Sequence, residues 1–461
     1  MIDLKALRDD PERFRRGIAR KRVSVDLDAL LAIDDELRAA QTRLQGLTAE
    51  KNQIGKQIGQ LAGRLKKAPD AEKAALQAEM QALRARPDEI KPLEAQLTDR
   101  VRDLETRREA LWLEVPQPPD DDVPDGDSAD DNVELSRWSP DGFDPAKPFA
   151  EQRGFAPRTH LDLGETLGLF DFARGTKIAG SRSYVMTGDG MRLYQAVLRL
   201  AFDTMVDEHG FTPLSVADLV RHELMVGTGF FPHGRDQVYD IANPTGEYGL
   251  ALTGTGEVGL MGYHQGEVLD ESELPRRYVT VSTCFRREAG AAGKDTAGLY
   301  RVHQFDKVEQ VVICRADEAE SRDWHRKMLG YVEGLLRRLE LPYRLLQCCT
   351  GDLGPKNADM IDIECWMPGR GEDGADGRPI GAFGETHSAS RLYDYQCRRL
   401  NIRYKTADTG KNAVAHSLNN TVAANPRLLI PLLEVHQQAD GSVGLPDALR
   451  PYLGGKAIID G

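Results

Sequence analysis

Apolar residues step by three and four along one stretch of the chain: Leu30, Ile33, Leu37, Ala40, Leu44, Leu47, then Lys51, Ile54, Ile58, Leu61 and Leu65. A stripe with that period lies on one side of a helix, and over such a length only another helix can keep it covered. Lys51 is its one polar member. The run ends in Lys66-Lys67-Ala68-Pro69-Asp70, where Pro69 stops the first helix and Asp70 is placed to cap the next. A second periodic stretch follows through Leu76, Met80, Leu83, Ile90, Leu97, Val101, Leu104, Leu111 and Val115. Legs joined by so short a turn run antiparallel, so the pattern predicts a two-helix coiled-coil hairpin. About 36 residues per leg at ~1.5 Å each make an arm of roughly 55 Å. Pro87 and Pro92 fall inside the second leg. Folding at Pro69 sets Pro87 opposite Lys51, and a kink or splay is expected there.

The texture changes after Val115. Pro116-Gln117-Pro118-Pro119 leads into Asp120-Asp121-Asp122 and further acids to Asp131. Such Pro and Asp density predicts an extended linker, poor in core-forming residues. The expected organisation is an arm domain over residues 1–115, a linker over 116–131 and a body over 132–461. In the body, short β-rich runs (278–282, 308–313, 343–348, 360–367) mix with amphipathic helical stretches (193–209, 318–339) without regular βαβ alternation. That texture predicts an α+β fold with a largely antiparallel sheet. Neither a P-loop nor a G-x-G-x-x-G after a strand is present, so the two common nucleotide folds are not supported.

Sixty basic against 73 acidic residues give a net charge of −13, which alone argues against a nucleic-acid partner. The distribution argues otherwise. Residues 1–115 hold 23 basic and 21 acidic side chains, a balance of +2; the linker contributes −7 and the body −8. Between residues 38 and 67, Arg38, Arg43, Lys51, Lys56, Arg64, Lys66 and Lys67 face a single acid, Glu50. A solvated coiled-coil face is the ordinary reading; an arm that tracks a phosphate backbone is the alternative. The six cysteines contain no C-x-x-C pair, so neither a disulfide scaffold nor structural zinc is expected, and a reducing cytoplasm suits the chain. No run of 18 apolar residues and no apolar segment near Met1 is present, so no membrane span or secretory signal is expected.

Four constellations carry chemistry. In residues 283–290, Arg286 and Glu288 share strand parity; an Arg fork suits phosphate and a carboxylate suits an amine, although a cross-strand ion pair is the usual alternative. A Gly/Ala-rich loop with Lys294 follows, and Arg301-Val302-His303-Gln304-Phe305-Asp306-Lys307-Val308-Glu309 returns as a second strand. Thr253-Gly254-Thr255-Gly256-Glu257 could seat an ammonium, or be a glycine-rich turn. Phe383-Gly384-Glu385-Thr386-His387-Ser388 offers Glu385 to Mg²⁺ on a triphosphate. Residues 416–427 bring Arg427 to the start of a predicted helix, 428–436.

The order and spacing of these segments resemble the seryl-tRNA synthetases of the ordinary bacterial and eukaryotic type. Residues 283–309 read like that family's motif 2 throughout. Leu341-Pro342-Tyr343-Arg344, residues 349–352 and 362–369, and the tail 437–452 are similar too. The resemblance spans nearly the whole chain, arm included. It implies a class II synthetase fold, an antiparallel sheet flanked by helices, working as a homodimer. It implies a serine–tRNA ligase that makes seryl-adenylate from serine and ATP and passes serine to tRNA(Ser), with tRNA(Sec) as a further candidate.

Carried over by position, the catalytic residues are Arg286, Arg427 and Glu385. Arg286 would grip the α-phosphate, Glu288 meet the adenine amino group, and Phe305 and Arg427 stack on the two adenine faces. Arg301 would reach the γ-phosphate side, Val302, Thr386 and His387 would complete the ATP site, and Glu385 with Ser388 would hold Mg²⁺. Thr255, Gly256, Glu257, Glu309 and Thr421, with Arg286, would form the serine pocket. The arm would grip the tRNA elbow and long variable arm by shape and backbone, through Arg38, Arg43, Lys51, Lys56 and Arg64. That role reverses the ordinary reading of the arm's charge.

The sequence departs from the family's usual strings at Gly256 in Thr255-Gly256-Glu257, at Arg391 in place of an Asn, at residues 419–427 where two glycines are lost, and at Ala217 in motif 1. Retention of Arg286, Glu288, Glu309, Glu385 and Arg427 favours an active ligase over a catalytically silent, tRNA-binding paralogue. The intact arm disfavours a ligase that charges a carrier protein.

Overall fold

A computed structural model describes residues 1–461 apart from 244–245, 247, 291–296, 373, 375–376 and 378. The centre of the Gly/Ala-rich loop, with Lys294, lies outside the described residues. The chain forms two compact units, Ser24–Val115 and Met1–Val23 with Pro116–Gly461.

Helices α1 (Leu4–Asp9) and α2 (Pro11–Arg20) belong to the larger unit. By contacts, then, residues 1–23 group with the body, whereas the expected arm domain counted them with the hairpin. Those residues carry basic groups that are satisfied by the body and by the acidic segment. The Met1 ammonium donates to the Tyr395 carbonyl at 2.7 Å. Arg20 donates to the carbonyls of Asp120 (3.2 Å) and Val123 (2.6 Å) and pairs with Asp125 at 2.7 Å.

The smaller unit is the hairpin of α3 (Leu27–Leu65) and α4 (Asp70–Glu114). Leu30, Ile33, Leu37, Ile54 and Leu61 of α3 and Leu76, Ile90 and Leu104 of α4 are buried along its seam, as the heptad requires. Pro69, not Asp70, is the N-cap of α4, and it offers no side-chain bond. At Pro87, where a kink or splay is expected, the helical hydrogen-bonded run is unbroken. The helix runs on through Pro87 and Pro92, and Ile54 and Ile90 stay buried at that level. Lys51 fits the seam because its ammonium pairs with Glu94, which also accepts from Thr48.

Segment 116–131, the expected linker, packs within the larger unit. Pro116 to Pro119 are buried. The Gln117 amide donates to Pro355 O at 2.8 Å and the Asp120 amide to Ala358 O at 2.9 Å. Val123 packs with Cys348 and Leu353. The aspartates have dedicated cations: Arg322 pairs with Asp120 (3.0 Å) and Asp122 (2.7 Å), and Arg391 pairs with Asp120. Composition pointed to extended backbone correctly, but the arginines that neutralise it come from distant parts of the sequence.

The rest of the larger unit is built on an eight-stranded sheet: β1 (Val133–Trp138), β2 (Thr212–Pro213), β3 (Arg276–Phe285), β4 (Gln304–Cys314), β5 (Tyr343–Gln347), β6 (Asp359–Met367), β7 (Ala382–Tyr393) and β8 (His416–Asn425). Their spatial order is β1-β5-β6-β7-β8-β4-β3-β2. All pairings are antiparallel except β2 on β3. Helices α5 (Gly188–Asp203), α6 (Glu257–Gly262), α7 (Glu318–Arg338) and α8 (Leu429–Val435) flank it. Strand alternation then divides the residues of β4. Val308 and Val312 join the core with Leu193 and Val197 of α5 and Met328 and Leu335 of α7. Phe305, Lys307 and Glu309 have the opposite parity and line a cavity on the other face. This is the α+β architecture expected from the sequence.

Candidate active site

The cavity measures about 190 Å³. β3 and β4 form one wall, in register with Phe305 opposite Cys284 and Glu309 opposite Thr280. β8 brings Thr421 opposite Glu309 across a bulge that follows Val308. A second bulge, after Ile363 on β6, leaves Thr386 as the extra residue between Glu385 and His387 on β7. The loop before α6 supplies Thr255, and the first residue of α6 is Glu257.

The sequence-named residues gather here with one exception. Thr255, Glu257, Arg286, Glu288, Arg301, Val302, Phe305, Glu309, Glu385, Thr386, His387, Ser388, Thr421 and Arg427 all line the cavity. Gly256 does not; it caps α6. Its departure from the usual alanine has a steric cause, because a Cβ there would stand 2.5 Å from Thr280 Cγ2 and 2.9 Å from Ser282 Oγ. Two other departures are also accounted for. Asn420 Nδ2 donates to the Met328 carbonyl of α7 at 3.1 Å. Arg391 is buried, ion-paired with Asp120 and, at 2.8 Å, with Asp359.

One end of the cavity is a closed set of buried charges. Lys307 Nζ lies 2.5 Å from Glu309 Oε2 and donates to Thr255 Oγ1 at 2.7 Å. The Thr421 hydroxyl donates to Glu309 at 3.5 Å. Burial raises the Glu309 carboxyl pKa against the pull of Lys307. Glu257, 2% exposed in its side chain, accepts from Lys356 Nζ through both oxygens at 2.7 Å and from Gln396 Nε2 at 2.7 Å.

The other end is rich in arginine and aromatic rings. The Arg286 guanidinium lies 5.2 Å from the centre of the Phe305 ring, and that of Arg427 lies 4.5 Å from Tyr300. Arg427 Nε donates to Tyr300 O at 3.1 Å, and its Nη1 lies 3.4 Å from Glu385 Oε2. Arg301 pairs with Glu288 at 2.7 Å. Glu288 sits just past β3 at φ +51°, a backbone state uncommon outside glycine. Burial pushes the His387 imidazole down to about 3. Ser388 stands opposite Asp362 on the neighbouring strand, and the Asp362 carboxyl is raised by burial and by Glu385 nearby. Cys348, Asp352 and Asp362 bring their ligand atoms within 4.8 Å of one another.

Sequence reasoning missed Lys307, Lys356, Phe230 and Tyr300, which line the same cavity. Lys307 could have been found from parity alone, as it alternates with Phe305 and Glu309. Lys356 stands in the turn between β5 and β6, where no periodicity marks it.

The arm residues divide. Arg43, Lys56 and Arg64 are exposed and have no ion-pair partner among the described residues. Arg38 is exposed beside Asp35 at 3.6 Å. Lys51 is committed to Glu94. Among the described residues, no helix is long and apolar enough to cross a membrane.

Residues 1–113 match the family described as the seryl-tRNA synthetase N-terminal domain, and residues 239–436 match the tRNA synthetase class II core domain (G, H, P, S and T). A serine–tRNA ligase of Deinococcus radiodurans is 42% identical over 465 residues, covering 100% of this chain and 99% of the relative. One of Dictyoglomus turgidum is 39% identical, covering 98% of each. Among solved structures, the seryl-tRNA synthetase of Pyrococcus horikoshii complexed with ATP has a TM-score of 0.83 at 35% identity, covering 100% of this chain and 99% of that one. The cytoplasmic serine–tRNA ligase of Naegleria fowleri in complex with AMP has a TM-score of 0.82 at 28% identity, covering 98% and 96%.

Proposed function

The chain belongs to the seryl-tRNA synthetase family, and from that premise we propose how its cavity works as a serine–tRNA ligase. Serine's carboxylate oxygen attacks the α-phosphorus of ATP, the bond to the β-phosphate oxygen breaks, and pyrophosphate leaves seryl-adenylate. A terminal ribose hydroxyl of tRNA(Ser) then attacks the seryl carbonyl, and AMP leaves. The carboxylate is already ionised, so the first step needs no general base; it needs alignment and charge stabilisation.

The observation that carries this reading is the division of one cavity into an arginine-and-ring end and a buried carboxylate-and-hydroxyl end. Arg286 lines the cavity with both sets, its guanidinium against Phe305 and its stem beside Gly254 in the loop that carries Thr255. It suits the α-phosphate, where the two substrates meet. Arg427 and Phe305 offer faces to the adenine, Glu288 an acceptor to its amino group, and Arg301 a cation to the distal phosphates. The Arg301–Glu288 pair opens as each takes its substrate partner. Val302, Thr386 and His387 complete this end by shape, since the Thr386 hydroxyl already donates to Ile363 O at 3.1 Å.

Mg²⁺ fits the donors present. Glu385 and Ser388 offer oxygens, and Asp362, opposite Ser388 on the neighbouring strand, keeps one buried oxygen without a hydrogen-bond partner. Hard oxygen donors that are few in number suit Mg²⁺ held chiefly by triphosphate. The ion would neutralise charge on the departing pyrophosphate.

At the other end, Glu257 and Thr255 would receive the serine ammonium, and Glu309 with Thr421 the hydroxyl. A site built to bond a hydroxyl leaves buried polar groups unpaired when alanine binds, which rejects it strongly. The hairpin would hold tRNA by its backbone through Arg38, Arg43, Lys56 and Arg64, with Lys51 released from Glu94 only at cost. Two copies would work as a homodimer, with residues 210–217 at the seam. Six cysteines, all buried and free, suit a reducing cytoplasm.

ATP–pyrophosphate exchange with each amino acid in turn, followed by acylation of tRNA, tests the reading. Serine-dependent exchange and tRNA(Ser) charging are expected. Binding of tRNA(Ser) with neither exchange nor charging would instead support a catalytically silent paralogue.

A further inference from the structure

We propose that Lys356 and the substrate's α-ammonium compete for Glu257, so that Lys356 is a specificity-determining residue of the serine pocket. The inference rests on the serine reading of the cavity. Lys356 Nζ lies 2.7 Å from both Glu257 oxygens, and Gln396 Nε2 lies 2.7 Å from Oε1. A carboxylate offers about four acceptor positions, and three are in use here. Glu257 is 2% exposed in its side chain. A buried carboxylate without a cation is strongly destabilising, so some cation must always be present. Lys356 supplies it from within the chain, and the serine ammonium supplies the same thing from outside. Two ammonium groups at one carboxylate repel at this range, so the seat takes one of them.

The geometry lets the tip of Lys356 move while its backbone stays. The buried Lys21 Nζ donates to the carbonyls of Gly354 (2.9 Å), Pro355 (3.4 Å) and Asn357 (2.5 Å). Asn357 Nδ2 donates to Ser390 Oγ at 2.8 Å, tying the same turn to β7. The four-carbon stem is flexible. Lys356 Nζ also lies 4.2 Å from the centre of the Phe230 ring, which keeps a partner for the ammonium when Glu257 is taken. The cavity's other lysine, Lys307, is held by Glu309 and Thr255 and leaves Glu257 to Lys356.

Competition of this kind senses the amine alone. A seat shared with an internal occupant binds its ligand more weakly by the fraction of time it is free, and removing the occupant restores that affinity. In Lys356→Met, the KM for serine in ATP–pyrophosphate exchange should fall about three- to tenfold, with kcat and the KM for ATP within about twofold. Inhibition by L-glycerate, which has serine's hydroxyl and carboxylate but no amine, should not strengthen. A serine KM that rises or stays level would overturn the proposal, as would equal strengthening of both ligands. Reductive methylation of the unaltered chain provides a test that does not depend on the variant's folding. Lys356, 14% exposed in its side chain, should react faster with serine present; protection or no change would overturn the proposal. Absence of serine-dependent exchange in the unaltered chain would instead contradict the functional reading itself.

Discussion

The hairpin and the cavity both depend on charge, but they hold it in opposite ways. On the hairpin, Arg86 with Glu50 and Arg100 with Glu36 are exposed pairs between helices, each open to water and salt. In the cavity, Lys307–Glu309 and Lys356–Glu257 are nearly closed to solvent. Exposed pairs are screened and contribute little singly, so an arm can keep a mobile cationic surface without its fold depending on any one residue. Buried pairs are costly to break because the survivor is left uncompensated. On the proposed function, the comparison teaches that polyanion binding and substrate selection would place opposite demands on side chains of the same types.

The strongest way to break this contrast is to remove the arm. Deleting residues 37–104 should lower tRNA acylation by at least about a thousandfold, on the premise that phosphate contacts supply most of the affinity, and leave serine-dependent exchange within about twofold. Equal loss of both would mean that the arm serves the chemistry. Within the cavity, Arg286→Ala should lower kcat for exchange by about 10²–10³-fold, the cost of one group aimed at developing charge. A fall under tenfold would move the α-phosphate contact elsewhere.

Stability sharpens the contrast next. Arg391 stands between Asp120 and Asp359 and is 3% exposed. Burial would raise the Asp359 carboxyl, yet His325 and Arg391 hold it well below the usual carboxylate range. Arg391→Met leaves Asp120 to Arg322 and Asp359 to His325, and should cost about 3 kcal/mol in denaturant unfolding, the lower end for a broken buried pair. A loss under ~1 kcal/mol would show that the pair is solvated.

Acid is a gentler probe. His387 is held near 3 by burial, below its ordinary 6.5. Between those values the unfolded chain binds the extra proton, so folding stability rises with pH and is lost on acidification through that window. This group contributes at most about 1.4 kcal/mol per pH unit there. His387→Gln should flatten the stability profile between pH 6.5 and 4, and an unchanged slope would contradict the burial. Least of all, Glu50→Gln on the hairpin should leave the melting temperature unchanged; a clear drop would mean that its pair with Arg86 is not an ordinary surface contact.

These regions also differ in how far their residues could be read before any coordinates. The hairpin was almost wholly legible, since helix period, Pro69 and the tip's charge are local properties. Its misreading was the cap of the second helix, where Pro69 rather than Asp70 holds the N-cap position. The strands were legible as short β-rich runs, and the cavity residues by resemblance to known strings. The contacts of residues 1–23 and 116–131 were not legible because their partners, Tyr395, Arg322, Arg391 and the turn at 354–357, lie far away in the sequence. Lys356 was invisible for the same reason: only tertiary folding brings it to Glu257. Gly256 looked like a departure until the Thr280 and Ser282 side chains showed what fills its space.

The central claim is that one region binds a polyanion and the other a small zwitterion. The most direct test measures both on one preparation as salt rises from 50 to about 300 mM. The KM for tRNA in acylation should climb with a log–log slope of roughly three or more, set by the arm's phosphate contacts. The KM for serine in exchange should stay nearly flat, because its charges are met inside a buried cavity. A flat tRNA response, or a serine response as steep as that of tRNA, would contradict the account.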